Sequence, residues 1–114
     1  MNKLIETVTF CKRIGGLVIG FDLVKQAMQK GEAGLVLLAR DLSPKTEKEI
    51  RFLCGQFDVA LKKTELSLDE FWYLIGKRAG VIAVTNPAFA EKLLTVIDEA
   101  NHMENEKEDA EYGD

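Results

Sequence analysis

A chain of 114 residues and 12.7 kDa has the size of one domain and is long enough to bury a hydrophobic core. Its 46% of hydrophobic and 30% of charged residues are typical of a soluble globular protein. The net charge of −4 argues at first sight against nucleic acid as a partner, because proteins that bind nucleic acid are mostly basic.

Several other classes of protein are excluded or left unsupported by the composition. Apolar stretches such as Ala33–Ala39 are far shorter than the roughly 20 residues of a membrane-spanning helix, and the N-terminus lacks the features of a signal peptide. The two cysteines, Cys11 and Cys54, stand alone in separate helical patterns, so we expect them to pack in the core of a cytoplasmic protein. With a single histidine, His102, the sequence assigns no catalytic residue, no metal site and no cofactor. We therefore expect a protein that is not an enzyme.

The first half of the chain alternates helical and strand patterns. Apolar residues recur at helical spacing before Gly15-Gly16, a pair that ends helices, and residues 17–19 form a short apolar strand. Asp22 is expected to cap a second helix that closes at Gly31, and the continuous apolar run 35–39 predicts a strand covered on both faces.

The second half repeats this alternation. Ser43-Pro44 begins a third helix, and residues 59–61 predict a third strand. Ser67 to Glu70 reads as a capping box for a fourth helix that ends near Gly76. A fourth strand over 81–84 is followed by a last helix that begins at Asn86-Pro87. Five helices alternating with four strands predict an α/β domain, whose short connections favour consecutive right-handed crossovers.

The acidity of the chain is concentrated at its end. Residues 98–114 hold eight acidic residues and one lysine, a net charge of −7, whereas residues 1–97 hold 14 basic and 11 acidic residues, a net charge of +3. A segment this charged, without branched aliphatic residues, is typical of a disordered tail. We therefore predict one folded domain over residues 1–101 and an acidic, disordered tail over residues 102–114.

Two turns expose backbone or positive charge in a way that suits a ligand. Gly20 stands where a strand passes into a helix, and the amides of a helix N-terminus are a natural site for phosphate or base edges. Lys77 and Arg78 occupy a loop flanked by Gly76 and Gly80, which lets the backbone approach a ligand closely. A surface turn with solvated charges is the ordinary alternative for this loop.

Two further features lie near these turns. Lys12 and Arg13, just before the paired glycines, can extend the basic patch. Phe71, Trp72 and Tyr73 are consecutive, so one helix cannot bury all three on the same side. Packing at the edge of the core is the simpler interpretation of the exposed aromatic surface, and a stacking platform for a base or a contact with a partner is the alternative.

The order of these motifs resembles that of the kink-turn-binding ribosomal proteins, the L7Ae, L30e and S12e group, including its small bacterial members. The resemblance runs over roughly residues 10–97, through the segments 17–31, 35–39, 59–61, 75–77 and 81–85 together with Asp41. It implies a three-layer α/β/α sandwich, with a four-stranded mixed central sheet and five helices. It also implies a partner, structured RNA of the kink-turn or ribosomal type. The RNA-binding positions that it implies are Gly20, Phe21, Asp22, Lys25, Gln26, Lys77, Arg78, Ala79 and Gly80.

The sequence departs from the family motif, which runs glycine, any residue, asparagine, glutamate, two residues and lysine. Asp22 replaces the asparagine and adds negative charge, and Leu23 cannot accept a hydrogen bond from a guanine edge. Gln26 replaces the lysine, although Lys25 is adjacent, and Trp72 stands where relatives usually have glycine. Loss of two base contacts, at about 1–3 kcal/mol each, lowers affinity by about 2–6 kcal/mol.

Two functions remain open from the sequence. The first is a non-enzymatic RNA-binding protein that associates with RNA or the ribosome, as the motif order and the +3 body indicate. The alternative is a protein-interaction module that keeps the fold and has lost kink-turn recognition, which Asp22, Leu23, Trp72 and the acidic tail favour.

Overall fold

The computed structural model describes residues 2–112, with side-chain environments described for residues 2–100. In this part of the chain, five helices alternate with four strands, as the sequence predicts. The helices are α1 (Lys3–Arg13), α2 (Phe21–Gln29), α3 (Pro44–Phe57), α4 (Leu68–Ile75) and α5 (Pro87–Tyr112), and the strands are β1 (Leu17–Ile19), β2 (Leu35–Leu38), β3 (Ala60–Lys63) and β4 (Val81–Val84).

Most helix ends follow from local hydrogen bonds that the sequence predicts. The Ser67 hydroxyl accepts from the Glu70 amide at 3.1 Å, and the Glu70 carboxylate accepts from the Ser67 amide at 3.1 Å, which completes the capping box of α4. The Ser43 hydroxyl accepts from the Thr46 amide at the start of α3. Gly76, with a φ of 76°, ends α4 in the left-handed conformation that glycine tolerates best.

The sheet is mixed, and its strand order is β1-β4-β2-β3. β4 lies in the interior, antiparallel to both of its neighbours, with Ile82 opposite Ile19 on one side and Leu37 on the other. β2 and β3 are parallel and are joined through α3. β1 and β2 are also parallel to each other and are joined through α2, so the expectation of consecutive crossovers is wrong only at β4, which runs antiparallel to β3 and inserts between the first two strands.

Helices cover both faces of the sheet. On one face, α1, α4 and α5 pack against alternate strand residues through a cluster of buried side chains that includes Val8, Phe71 and Leu93. On the other face, α2 and α3 contribute Val24 and Ile50 to a second cluster. All four residues of β2 and of β4 are buried, because these interior strands have helices on both sides. The structure is thus the predicted α/β/α sandwich.

The third strand lies slightly later than predicted. The Val59 amide still donates to the Cys54 carbonyl at the end of α3, and pairing with β2 begins only at Ala60, opposite Leu35, and ends at Lys63. The expected segment, 59–61, omitted the lysines because the apolar pattern ends before them. β3 is an edge strand, where lysines are tolerated and discourage pairing with other chains.

The last helix continues beyond the predicted domain boundary. The backbone of α5 is helical to Tyr112, whereas side-chain environments are described only as far as Ala100. The division into a domain over residues 1–101 and an acidic tail over 102–114 therefore stays a prediction, and His102 lies outside the residues with described side chains. Within residues 2–112, no helix combines the length and apolar character needed to cross a membrane.

Gly80 generates a prediction about stability, since a Cβ atom there would lie 2.5 Å from Leu68 Cδ2 and 2.7 Å from Leu42 Cδ1. Gly80→Ala should lower the free energy of unfolding by about 1–3 kcal/mol through this overpacking. Gly55→Ala is the matched control, because Gly55 lies within α3 with nothing within 4 Å of its Cβ position, and it should stabilise by about 0.5–1 kcal/mol. Urea unfolding measures both changes, and equal effects of the two variants would contradict the packing argument.

Candidate nucleic-acid interface

Backbone hydrogen bonds bring the two predicted binding segments together at one end of the sheet, where β1 and β2 end and β4 begins. The Gly20 amide, just after β1, donates to the Val81 carbonyl at 2.9 Å, where β4 begins. The Ala39 amide, just after β2, donates to the Gly80 carbonyl at 2.9 Å. The start of α2 and the loop 76–80 are therefore fixed side by side, although about 60 residues separate them in the chain.

Gly20, not Asp22, caps α2. Its φ of 101° and ψ of 153° lie in a region that side chains avoid, and its carbonyl accepts from the Val24 amide at 3.0 Å to start the helix. No side chain caps this end, so the first amides of α2 lack a side-chain acceptor. The prediction that Asp22 caps the helix is wrong because the glycine turn starts the helix two residues earlier. Asp22 lies instead in the first turn, where its charge complements the helix dipole.

The outer face of α2 carries the predicted polar contacts. Asp22, Lys25 and Gln26 are exposed, and their spacing of three and four residues places them on one face of the helix. Leu23 is 46% exposed beside them. Phe21 is half-buried and packs against the second core cluster, so its contribution to this surface is its backbone.

The loop 76–80 presents its two basic residues to solvent and turns its other side chains inward. Lys77 and Arg78 are exposed, while Ala79 is half-buried against the first core cluster. Gly80 is buried between Leu42 and Leu68, which leaves no space for a side chain. Of the predicted residues in this loop, only Lys77 and Arg78 therefore offer side chains to a ligand.

Lys12 adds a third cation to this loop. Its Nζ atom lies 3.4 Å from the position that a Cβ atom would take at Gly76. The structure thus brings Lys12 against the loop, as the sequence suggested, and shows Arg13 exposed at the end of α1.

Ion pairing divides the basic residues of the body into two groups. The three ion pairs of the described side chains all involve α3 or β3: Glu47 pairs with Arg51 and Lys63 at 2.9 Å each, and Lys62 pairs with Asp98 at 3.1 Å. Hydrogen bonds from Lys63 and Arg51 hold the pKa of the Glu47 carboxyl below its usual value.

The basic residues at the loop and at α2 belong to the other group. Within residues 2–100, no carboxylate forms an ion pair with Lys12, Lys25, Lys77 or Arg78. These four residues therefore keep their positive charge exposed to solvent at the end of the sheet where the two predicted binding segments meet.

Arg78 makes a contact that the sequence analysis missed. Its guanidinium carbon lies 4.6 Å from the centre of the Trp72 ring, a cation–π contact between the loop and α4. Trp72 remains 45% exposed. The five residues between the two partners span a helix end and a left-handed glycine, so no periodic pattern in the sequence indicates this pair.

The described side chains hold neither an activated thiol nor a metal-binding cluster. Both cysteines are buried, and burial raises the pKa of the Cys54 thiol to about 11 and that of the Cys11 thiol above its usual value. The Cys11 thiol donates to the Gly16 carbonyl at 3.3 Å. Among these side chains, no group of three or more histidine, cysteine or acidic residues is placed to hold a metal ion.

Comparisons with known proteins match both the sequence and the fold. The model of the Ribosomal protein L7Ae/L30e/S12e/Gadd45 family matches residues 2–94. The chain is 40% identical over 83 residues to the RNA-binding protein YlxQ of Bacillus subtilis (strain 168), an alignment that covers 72% of this chain and 82% of that protein.

Two solved structures are similar to the whole body. A protein of unknown function from Bacillus halodurans superposes with a TM-score of 0.80 at 28% identity, over 86% of this chain and 99% of the other. The 15.5kD RNA binding protein of Giardia lamblia superposes with a TM-score of 0.70 over 87% of this chain and 85% of the other, and its 14% identity shows a shared fold.

The backbone at Gly20 generates a second prediction. Gly20→Ala should lower the free energy of unfolding by about 1–3 kcal/mol, since an alanine is strained at this φ and ψ although nothing lies within 4 Å of its Cβ. Gly31→Asn is the control, because Gly31 also has a positive φ of 72°, in the left-handed region that asparagine tolerates. Urea unfolding that shows a smaller loss for Gly20→Ala than for Gly31→Asn would contradict the assignment of strain to Gly20.

Proposed function

Because the chain belongs to the Ribosomal protein L7Ae/L30e/S12e/Gadd45 family, we propose that it is a non-enzymatic protein of the cytoplasm that binds structured RNA of the kink-turn or ribosomal type. One observation carries this proposal: the hydrogen bond from Gly20 to Val81 holds the start of α2 beside the basic loop 76–80. The name of the B. subtilis relative, an RNA-binding protein, supports RNA as the partner.

The contacts that we propose are mostly to the RNA backbone. The uncapped amides of α2 and the side chain of Lys25 would meet phosphates on one strand, and Lys77 and Arg78 would meet phosphates across the kink. Lys12 would add a more distant positive charge at Gly76. Such contacts position a structured RNA without reading its sequence, and they make the affinity depend strongly on salt.

Base recognition is the weaker part of the interface. Leu23 presents an exposed apolar side chain where the family motif has an acceptor for guanine, and the carboxylate of Asp22 repels phosphate where the motif has an amide. In this proposal the protein therefore selects RNA chiefly by the shape of the RNA backbone. We expect its affinity for a kinked RNA to rise when these two side chains are changed towards the motif.

The proposal is tested by gel shifts with a kink-turn RNA and with a control duplex of the same length that lacks the kink. We expect tighter binding to the kinked RNA and a loss of affinity as salt rises. Lys77→Ala should weaken binding and lower the salt slope, d log K/d log[salt], by about 0.7–0.9, the contribution of one phosphate contact. Lys62→Ala removes the same charge from the ion pair with Asp98 on β3, away from the loop, and should leave the slope unchanged.

The double variant Asp22→Asn, Leu23→Glu provides the converse measurement. It restores an amide and an acceptor at the motif positions, and each restored base contact is worth about 1–3 kcal/mol. Equal micromolar binding to both RNAs by the unmodified protein and by this variant would refute kink-turn recognition. An RNA affinity that is unchanged in Lys77→Ala and in Arg78→Ala would instead favour the protein-interaction module.

The acidic tail generates a separate prediction, because α5 runs towards the same end of the sheet. Ala100 lines one depression together with Lys63 and Thr64, and the register places Lys63 opposite Leu38, which is opposite Val81. Truncation after Ala100 removes six acidic residues and one lysine.

We expect this truncation to tighten RNA binding about threefold or more at low salt, because a negative segment close to the interface competes with phosphate. The gain should disappear in high salt as the charges are screened. An unchanged dissociation constant at low salt would show that the tail does not act on the interface.

A further inference from the structure

Trp72 is a partly exposed ring that the proposed backbone contacts leave without a role, and the guanidinium of Arg78 lies over it. The pair borders a groove of about 350 Å³ lined by Leu68, Asp69, Trp72, Arg78, Ala79 and Gly80. Tryptophan offers a large aromatic face, and the guanidinium of arginine is itself a flat group that stacks on rings. The groove adjoins the loop 76–80, so a ligand on the proposed interface would reach it without a change of fold.

The pair is held in place by contacts on both of its supporting segments. The capping box fixes the start of α4, and the Leu68 amide donates to the Asp41 carboxylate at 2.7 Å, which ties that helix to the segment after β2. On the loop side, Gly80 is wedged between Leu42 and Leu68. The backbone on both sides of the groove is therefore fixed before any ligand arrives, and the cation–π contact orients the two side chains, so less conformational freedom is lost on binding.

The chemistry of the groove favours a nucleobase over a phosphate. The carboxylate of Asp69 lines it beside Trp72 and would repel a phosphate, whereas it accepts hydrogen bonds from the N–H groups of a base. Arg78 is the one basic residue of this lining, and its charge is already directed over the indole ring. The exposed part of the indole ring and the flat guanidinium over it are the surfaces that remain, and every base can stack on such a surface.

We propose that Trp72 and Arg78 form a stacking site for one unpaired nucleobase of the bound RNA. This inference rests on the proposed function, since the base reaches the groove as part of an RNA that contacts Lys77 and the start of α2. The site adds affinity through stacking, and it requires an RNA whose structure displays an unstacked nucleotide beside the loop.

The experiment uses the full chain, whose single tryptophan is Trp72 and therefore reports on this site alone. The kink-turn RNA is titrated while tryptophan emission and, separately, the dissociation constant by gel shift are measured. Each unpaired nucleotide of the RNA is then replaced in turn by an abasic residue. We expect the emission to be quenched on binding, and one abasic replacement to abolish most of this quenching.

Matched variants separate stacking from a general effect on the surface. Trp72→Leu should weaken binding roughly 5- to 100-fold, the range expected for loss of one stacked base, while Trp72→Phe retains a ring and most of the affinity. Tyr73→Leu changes the neighbouring aromatic residue, which is 95% exposed and does not line the groove, and should alter the dissociation constant less than twofold. The Trp72→Leu variant should bind the critical abasic RNA and the intact RNA with equal affinity, because the variant has no ring on which the base can stack.

The outcomes distinguish this inference from the proposed function. RNA binding without a change in emission, with equal affinity for every abasic RNA, would overturn the stacking site and leave the RNA-binding function intact. The abasic series needs only the unmodified protein, so it decides the matter even if Trp72→Leu fails to fold. An unmodified protein that binds neither kinked nor control RNA would overturn both.

Discussion

The position of β4 between β1 and β2 is the constraint on which the rest of the structure depends. Its antiparallel pairing with both neighbours places the end of β1, the end of β2 and the loop before β4 at the same end of the sheet. The bonds from Gly20 to Val81 and from Ala39 to Gly80 continue this pairing beyond the strands. Backbone hydrogen bonds between strands are costly to break, so the relative position of the two segments of the candidate interface is fixed by the sheet itself.

The net charge of −4 does not describe the charge at this end of the sheet. The body holds a small excess of basic residues, and the ion pairs of the described side chains neutralise Arg51, Lys62 and Lys63 on α3 and β3. The basic residues of the loop and of α2 keep their charge exposed to solvent. A protein with pI near 5.1 can in this way present a local positive field, because electrostatic attraction within about 10 Å depends on nearby charges.

The elements of the fold could be predicted well wherever a short-range signal specifies them, and less well elsewhere. The capping box at Ser67, the glycine at the end of α4 and the apolar run of β2 each involve residues a few positions apart, and the structure confirms all three. The cap at Asp22 was wrong because Gly20 adopts a conformation that its neighbours do not reveal. The lysines of β3 were missed because their place in the sheet comes from pairing with β2 and not from their own character.

The sequence by itself determined the order of helices and strands and the covering of a central sheet by helices on both faces. These properties follow from periodicity and capping, which act between residues close together in the chain. The residues of the candidate interface came from two turns, one at Gly20 and one basic, and from the resemblance to a family. Only the tertiary structure decided that β4 enters the sheet between β1 and β2, that Gly80 is buried rather than presented, and that Arg78 lies over Trp72. These facts rest on contacts between segments whose separation along the chain carries no pattern, so the packing of the whole domain is needed to produce them.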